Sequence, residues 1–410
     1  MRLARGVLEL PFWAMFMLAV STPIETTACP IGASVTHDQA WHSACDAAIA
    51  AATDPRLKAE LLYRSAYAHN EHEGYFDAER ALQEATRLDP GHAPAWGELS
   101  YTENALGNYA PAEQAADRAL ALAPDRVQAY VERGMARHYQ GNLEGAYADR
   151  DWLARRQPDD ADARIGRAID ALWLGRFDQA AADLDAAAPH ARDDAQRQRI
   201  ERWRRLLGLL RTRSGAVDPT SICVWPDNAD DVRRPGFIGD CTAAFLAETR
   251  PARRADFLTF RSLAWLAAED SEAATGDRAL AAALDPGDPD RHVNLGFAYL
   301  SAHHSWAASR EFDRALAIRE SWTGLAGRAS AKYNLHDPAG AFADARRSFE
   351  IEPNQLALIV LGDLAHDRGD AEHAKSYWMA AYHLGSRDDG LIERLRSVGI
   401  DHPENEPAPQ

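Results

Sequence analysis

The chain has 410 residues, is rich in Ala and Leu, and carries a formal net charge of −17 at pH 7. This length supplies material for a large buried core, as one long array or two sub-arrays, and the lack of recurring β-branched alternation predicts an all-α protein. A strongly acidic chain repels phosphate backbones and anionic lipid headgroups, which argues against nucleic acid as a partner.

Residues 1–28 are predicted to form a secretory signal peptide. Two arginines precede an apolar stretch, Leu10 to Val20, that is too short to span a bilayer. Thr26 and Ala28 are small residues suited to cleavage before Cys29. We therefore expect an exported protein, periplasmic or secreted, with no transmembrane span in the mature chain.

Lipidation of Cys29, as in a bacterial lipoprotein, is the alternative for this cleavage site. The lipoprotein signal prefers Leu where Thr26 stands, and eight residues separate Val20 from Cys29. Cleavage without lipidation is therefore the favoured interpretation, and a lipid anchor on Cys29 stays open.

Four cysteines of the mature chain fall into two local pairs, Cys29 with Cys45 and Cys223 with Cys241. In an exported chain such pairs predict disulfides, and local closure favours this pairing among the three connectivities that four cysteines allow. Each bond would stabilise the fold by about 3 kcal/mol if it acts through chain entropy. A zinc site needs more closely spaced ligands, and the chain has no CxxC.

A period of about 34 residues runs through the rest of the sequence. Alanine recurs at Ala78, Ala112, Ala146 and Ala180, and again at Ala274, Ala308, Ala341 and Ala374. Proline keeps the same interval at Pro90, Pro124, Pro158, Pro286 and Pro353. Because a small residue lets two helices approach closely and proline ends a helix, the period predicts stacked helical hairpins.

The stretch Ala95–Pro124 contains one whole unit. Trp96 and Leu99 share a face of a first helix, Gly107 ends that helix, and Tyr109 begins a second helix. This pattern resembles the tetratricopeptide repeat (TPR), a 34-residue helical hairpin. With its predicted signal peptide, the chain resembles an exported TPR protein of bacterial type. The resemblance implies an all-α solenoid of about eight hairpins in two duplicated four-repeat halves.

An offset of 196 residues relates the two halves, as between Cys45 and Cys241 and between Ala78 and Ala274. We infer an internal duplication in which a capping helix covers the apolar end of each array. The predicted organisation is a signal peptide (1–28), a disulfide-closed segment with its capping helix (29–58), an N-terminal array with a closing helix (59–211), a hinge with the second cysteine pair and a capping helix (212–254), a C-terminal array with a closing helix (255–400) and a disordered tail (401–410).

The closing helix of the first array is predicted over 193–211. Its apolar stripe includes Ile200 and Trp203, whereas Arg199, Arg202 and other arginines occupy the opposite face. That face could dock an anionic partner, but solvation or pairing with acidic neighbours is the preferred interpretation.

No chemistry-bearing motif stands out. The pairs His69 with His72 and His303 with His304 lack the spacing of a HExxH zinc motif, and no P-loop, GxSxG or dinucleotide-binding fingerprint occurs. We predict no catalytic residue, no metal and no cofactor, and therefore no enzyme.

In the TPR family the first helix of each repeat lines a concave groove that receives a peptide or helix. Transferred by position, the resemblance predicts a peptide groove formed by Tyr67, Tyr101, Val131, Met135, Tyr139, Ile169, Leu172, Trp173, Leu266, Val293, Phe297 and Leu300. This largely apolar set suits a segment anchored by hydrophobic side chains. The Lys, Asn and Arg set with which some members clamp a C-terminal carboxylate is absent, which disfavours a chaperone-tail receptor.

The groove could also be filled by the chain itself or by a second copy in a homodimer, and the sequence leaves these interpretations open. The favoured function is a non-catalytic scaffold or adaptor of the cell envelope that binds an unidentified protein of the envelope or secretion apparatus. The alternative is a sensor or enzyme accessory that binds a small molecule or metal between the halves.

Overall fold

The computed structural model describes residues 29–31, 39–72, 74–212, 223–224, 226, 232–233 and 236–406. The predicted signal peptide and part of the predicted hinge lie outside these ranges. Every regular element within them is helical, which confirms the all-α class. The segment predicted as a disordered tail contains a short 3-10 helix, Pro403–Asn405, in which Pro403 is buried.

The helices follow one another with short connections. Those up to the closing helix of the first array are α1 (Gln39–Ala51), α2 (Pro55–Glu71), α3 (Tyr75–Leu88), α4 (Ala93–Ala105), α5 (Tyr109–Leu122), α6 (Val127–Tyr139), α7 (Leu143–Arg156), α8 (Ala161–Trp173), α9 (Phe177–Ala187) and α10 (Asp194–Thr212). A 3-10 turn, Ala188–His190, separates α9 from α10.

The second array begins after the second cysteine pair. Its helices are α11 (Phe237–Ala247), α12 (Pro251–Ala267), α13 (Ser271–Leu284), α14 (Pro289–Ser301), α15 (Ser305–Ile318), α16 (Trp322–Asn334), α17 (Pro338–Ile351), α18 (Gln355–Asp367), α19 (Ala371–His383) and α20 (Asp389–Ser397). Consecutive helices pack as hairpins, for example α2 on α3, α8 on α9 and α12 on α13. The fold is a TPR-like array of helical hairpins.

The recurring alanines lie where the period predicts them, between the paired helices. All eight, from Ala78 to Ala374, are at most 1 % exposed. Glycine serves the same purpose in later repeats, since a Cβ placed on Gly296 would lie 2.7 Å from the ring of Phe312. Close approach of the helices is therefore what fixes the small residues at these positions.

In repeats two to eight, the turn inside the hairpin has one residue in the left-handed region. Gly107, Gly141 and Gly175 supply it in repeats two to four, with φ of 73°, 76° and 72°. In the second array His303 and His336 occupy the same turn position, with φ of 61° and 58°. His303, one of the four histidines tested against a zinc motif, thus serves as a left-handed turn residue, as does His336, at a conformational cost that glycine avoids.

The chain divides into two compact units, Met1–Glu103 with Gln114–Ala129, and Asn104–Glu113 with Tyr130–Gln410. In the first unit a disulfide joins Cys29 to Cys45, and both cysteines are fully buried beside Trp41 and Leu61. This bond uses the sulfur atom that a lipoprotein acyl group would occupy. Disulfide and lipid anchor on Cys29 therefore exclude each other.

The first unit also contains a carboxylate whose titration should be measurable. The hydrogen bond between Glu60 and His92, with Arg64 adding a second, lowers the pKa of the Glu60 carboxyl to about 2, even though burial acts in the opposite direction. The Oε2–Nε2 distance to His92 is 2.8 Å and the Oε1–Nε distance to Arg64 is 2.5 Å.

We expect Glu60→Gln to remove part of the acid sensitivity of folding. Because the folded pKa of Glu60 is depressed, its stabilisation is present above the unfolded value of 4.5 and is lost as pH falls towards 2. The difference in free energy of unfolding between the wild type and the variant should be about 1–2 kcal/mol larger at pH 7 than at pH 3, after allowance for solvent screening. Urea titrations at both pH values measure this difference. Glu372→Gln, on the exposed surface of α19, is the control, and an equal pH effect in both variants would contradict the assignment.

One hydrophobic core of the second unit contains residues of both predicted arrays. It combines residues of α8, α9 and α10 with Cys223, Cys241, Phe237 and Phe245, and continues into α12 and α13. A second disulfide joins Cys223 to Cys241. The described part of the predicted hinge therefore contributes buried side chains to a shared core and packs the arrays together.

An ion pair inside the hairpins recurs with the repeat. An arginine on the first helix meets an aspartate 16 residues later on the second, with shortest N–O distances of 2.5 to 2.7 Å. The pairs are Arg133–Asp149, Arg167–Asp183, Arg261–Asp277 and Arg328–Asp344. They join the two helices of a hairpin by charge-assisted hydrogen bonds where the alanines allow close packing.

Candidate functional site

The predicted groove residues separate into three environments. Tyr67 and Tyr101, in the first unit, are half-buried. Five residues of repeats three and four line a cavity of about 350 Å³ in the second unit, namely Val131, Met135, Tyr139, Ile169 and Trp173. The remainder lie elsewhere in the second unit, with Leu172 in the shared core, Val293, Phe297 and Leu300 in or against the core of α13 to α15, and Leu266 at 41 % exposure.

The cavity is formed by repeats three and four and by two helices that come later in the chain. Helices α6 and α8 supply the apolar residues named above, and α7 adds Leu153. The closing helix α10 contributes Arg199, Arg202 and Trp203. Helix α13, from the first hairpin of the second array, contributes Glu272 and Leu280 among others.

One end of this stretch of groove is filled by the protein's own aromatic side chains. The Trp173 ring meets Trp203 and Phe245 edge-on, with centroid distances of 6.2 Å and 5.5 Å, and Trp203 in turn meets Trp265. Trp173 is only 4 % exposed. Self-packing, which the sequence left open, therefore occupies the groove beyond repeat four.

The other end is bounded by contacts between the second and sixth repeats. The Tyr109 and Tyr299 hydroxyls are 2.6 Å apart, and Arg314 Nη2 donates to Asn108 Oδ1 at 3.0 Å. Tyr139 stacks on Tyr109 at a centroid distance of 4.8 Å. Burial raises the pKa values of Tyr109 and Tyr139, so both phenols stay protonated and act as neutral hydrogen-bonding groups. The cavity between these ends is a compartment rather than a continuous channel.

Charged side chains surround the apolar floor of the cavity. Asp162 accepts hydrogen bonds from Arg192 and Gln196 at 2.5 Å and 2.8 Å and a longer one from Arg199 at 3.3 Å. Arg202 pairs with Asp270 and, at 3.3 Å, with Glu272. The basic face of α10 is thus paired internally with acidic neighbours in this region, the interpretation preferred from the sequence.

A polar network forms part of the wall of the cavity, to which His138, Arg150 and Asp277 belong. His138 Nδ1 lies 2.7 Å from Asp170 Oδ1, and Arg150 Nη1 lies 2.8 Å from Asp170 Oδ2. Asp277, held by Arg261, has its pKa raised by burial, an effect that the ion pair opposes. These contacts fix the positions of α6, α7 and α8 and so define the shape of the cavity.

Sequence reasoning placed only one wall of this site. The groove positions of repeats three and four were identified by their place in the repeat, but Arg199, Arg202 and Trp203 were assigned to an amphipathic closing helix, and Glu272 and Leu280 were not singled out. Repeat periodicity reports neighbours within a hairpin and in the next hairpin. It carries no signal for contacts that occur once between helices outside the next hairpin, such as those of α10 and α13 with α6 and α8.

The described residues contain no group of three or more His, Cys, Asp or Glu side chains placed to hold a metal ion. Within the same ranges, no helix combines the length and apolar character needed to cross a bilayer.

The paired helices, their 34-residue spacing and the buried small residues define the class: this is a TPR-like helical-repeat protein. No family model matches the sequence, and no curated protein does. Among solved structures it is similar to a tetratricopeptide repeat protein from Parabacteroides merdae (14 % identity, 83 % of this chain and 98 % of that chain, TM-score 0.29). It is also similar to yeast Tom70 (11 %, 88 % and 91 %, TM-score 0.36) and to the APC/C hetero-tetramer Cut9–Hcn1 (12 %, 88 % and 84 %, TM-score 0.37).

Proposed function

We propose that the protein is a non-catalytic interaction scaffold of the cell envelope, and that a partner polypeptide is anchored in the cavity of repeats three and four. A TPR-like scaffold is typical of protein–protein interaction and usually non-catalytic. The two disulfides suit an oxidising compartment, which supports export.

One observation carries the proposal. Val131 is 41 % exposed, and Met135, Tyr139 and Ile169 are half-buried around the same cavity, although most apolar side chains of these helices are in the core. Apolar side chains that converge on a concave site and remain accessible are typical of a binding surface. Because self-packing bounds the cavity at both ends, we propose a short anchor, one or two side chains of the partner, rather than a long segment running through the groove.

The double substitution Val131→Arg with Met135→Arg is expected to weaken partner capture about tenfold or more, since losing one or two anchor contacts costs on the order of 1–3 kcal/mol. The measurement is quantitative affinity capture from envelope extract, with the free energy of unfolding recorded alongside. Leu122→Arg is the matched control, because Leu122 is 46 % exposed and does not line the cavity. Equal capture by the cavity variant and the control would remove this cavity as the partner site.

The alternative, a site for a small molecule, is favoured by a specific feature of the same cavity. Three buried donors on α10, the Nε atoms of Arg199 and Arg202 and the Trp203 Nε1, belong to residues that line it and have no hydrogen-bond partner.

A further inference from the structure

The cavity wall contributed by α10 contains donors that nothing in the protein satisfies. Trp203 is 8 % exposed, and its indole Nε1 is buried without a hydrogen-bond partner. The Nε atoms of Arg199 and Arg202 are likewise buried without a hydrogen-bond partner, although Arg199 Nε lies 3.8 Å from a Glu272 carboxylate oxygen. These residues stand at i, i+3 and i+4 on one helix and all three line the cavity, so Arg199 and Arg202 lie beside Trp203 and not on the opposite face expected from the sequence. Buried donors without partners are costly, so a cluster of them points to a missing acceptor.

Three carboxylates of the cavity lining, by contrast, already accept hydrogen bonds. Asp162 has three donors, and Asp160 accepts from the backbone N–H groups of residues 162 and 163 at the start of α8. Asp277 receives both ends of the Arg261 guanidinium at 2.5 Å and 2.8 Å. What the site lacks is therefore an acceptor, so the ligand should bring oxygen atoms and not N–H groups.

Arg199 is the donor most easily turned towards a ligand. It reaches Asp162 at 3.3 Å and Glu272 at 3.8 Å, both long for an ion pair. Asp162 keeps Arg192 and Gln196 if Arg199 moves, and Glu272 is largely in solvent, with 67 % side-chain exposure. A carboxylate could accept from Arg199 with one oxygen and from Trp203 Nε1 with the other, as charge-assisted hydrogen bonds.

Apolar side chains line much of the rest of the cavity. Val131, Met135, Ile169, Trp173 and Leu280 line it opposite or beside the donors. Its volume of about 350 Å³ lies at the small end of the range for ligand pockets, roughly 300–1,000 Å³. Such a space suits one aromatic or branched aliphatic group.

We propose that this cavity binds a carboxylate attached to a single apolar group, either a free organic acid or the same chemistry at the C-terminal residue of a polypeptide. The inference rests on the proposed function in taking this cavity as the binding site, and it names the chemistry of the occupant. The donors lie on the closing helix α10, outside the repeats, which is why groove positions alone did not indicate a carboxylate.

The test is isothermal titration calorimetry on the full mature chain with phenylacetate and with 2-phenylethylamine, which pair a similar apolar body with opposite charges. Phenylacetate should bind saturably and at least about tenfold more tightly than the amine, since only the anion satisfies the donors. Trp203→Phe keeps the aromatic bulk and removes only the indole N–H, and Arg199→Gln removes the charge; each should weaken phenylacetate about tenfold.

Arg197→Gln is the matched control on the same helix, because Arg197 is exposed, pairs with Asp194 and does not line the cavity. It should leave phenylacetate binding within about twofold. Absence of saturable phenylacetate binding, equal affinity for acid and amine, or equal behaviour of Trp203→Phe and Arg197→Gln would each overturn the assignment.

A second arm separates the two sources of the ligand. A tripeptide ending in phenylalanine is titrated with a free and with an amidated C-terminus. Tighter binding of the free-acid peptide than of phenylacetate assigns the site to a chain terminus, and binding of phenylacetate alone assigns it to a free acid; both outcomes support the carboxylate chemistry.

Partner capture is a separate readout. If the Val131→Arg, Met135→Arg variant loses partner capture but the wild type binds no carboxylate, this inference is overturned and the proposed scaffold function stands. If carboxylate binds but that variant captures the partner as well as the wild type, the inference is supported and the cavity is removed as the partner site.

Discussion

Replacing Arg261 by alanine is expected to lower the free energy of unfolding by about 3–5 kcal/mol, the cost of breaking a fully buried ion pair from one side. Arg261 is 0 % exposed. Its guanidinium makes two bonds to Asp277 on α13, donates to Thr242 Oγ1 on α11 at 2.8 Å and lies 4.0 Å from the ring centroid of Trp173 on α8. The variant leaves the Asp277 carboxyl in the core without its charged partner.

This expectation is specific to burial, because an ion pair at the surface contributes little to stability. Arg346→Ala is the control, since Arg346 pairs with Glu350 on the surface of α17 with 69 % side-chain exposure and should change stability by less than about 0.5 kcal/mol. Urea denaturation followed by circular dichroism measures both variants. A loss in Arg261→Ala no larger than in Arg346→Ala would contradict the role of this residue in joining the two arrays.

Replacing Trp173 by alanine is expected to cost about 3–5 kcal/mol as well, through the cavity left by a large aromatic side chain. Although Trp173 was predicted as a groove residue, its ring packs between Trp203, Phe245 and the Arg261 guanidinium. Loss of ligand binding in this variant would therefore report a disturbed core together with any lost contact.

Trp152→Ala provides the comparison, because Trp152 is half-buried and stacks on Tyr130 alone among aromatic rings of the described chain. It should cost clearly less than Trp173→Ala in the same denaturation experiment. Arg261 and Trp173 touch, so the double variant should lose less than the sum of the two single losses. Strict additivity would show that the contact contributes nothing.

The predictable part of the fold depends on interactions that repeat. Ala112 must be small because the helices of its own hairpin meet there, and the same requirement returns one period later at Ala146. Local constraints of this kind are written into the sequence once per repeat, so the period alone identifies the hairpins. The cysteine pairing could also be predicted from the sequence, because short loops close with the least loss of chain entropy.

Other regularities were present in the sequence but were not used. The spacing of 16 residues between Arg133 and Asp149 recurs between Arg167 and Asp183 and between Arg261 and Asp277. A search for opposite charges at a fixed spacing could have found these pairs. What it could not have found is that Arg261 also reaches a side chain of the other array, Trp173.

The amino-acid sequence by itself determined the all-α class, the hairpin period, the disulfide partners and the apolar character of the groove positions, because each depends on residues close in the chain or repeated along it. Only the tertiary structure decided which part of the groove stays accessible. Helices α10 and α13 close over repeats three and four, Trp203 and Trp265 fill one end, and the donors of α10 meet a largely apolar wall from α6 and α8. These contacts join segments far apart in the chain, and no periodic pattern records them, since they occur once.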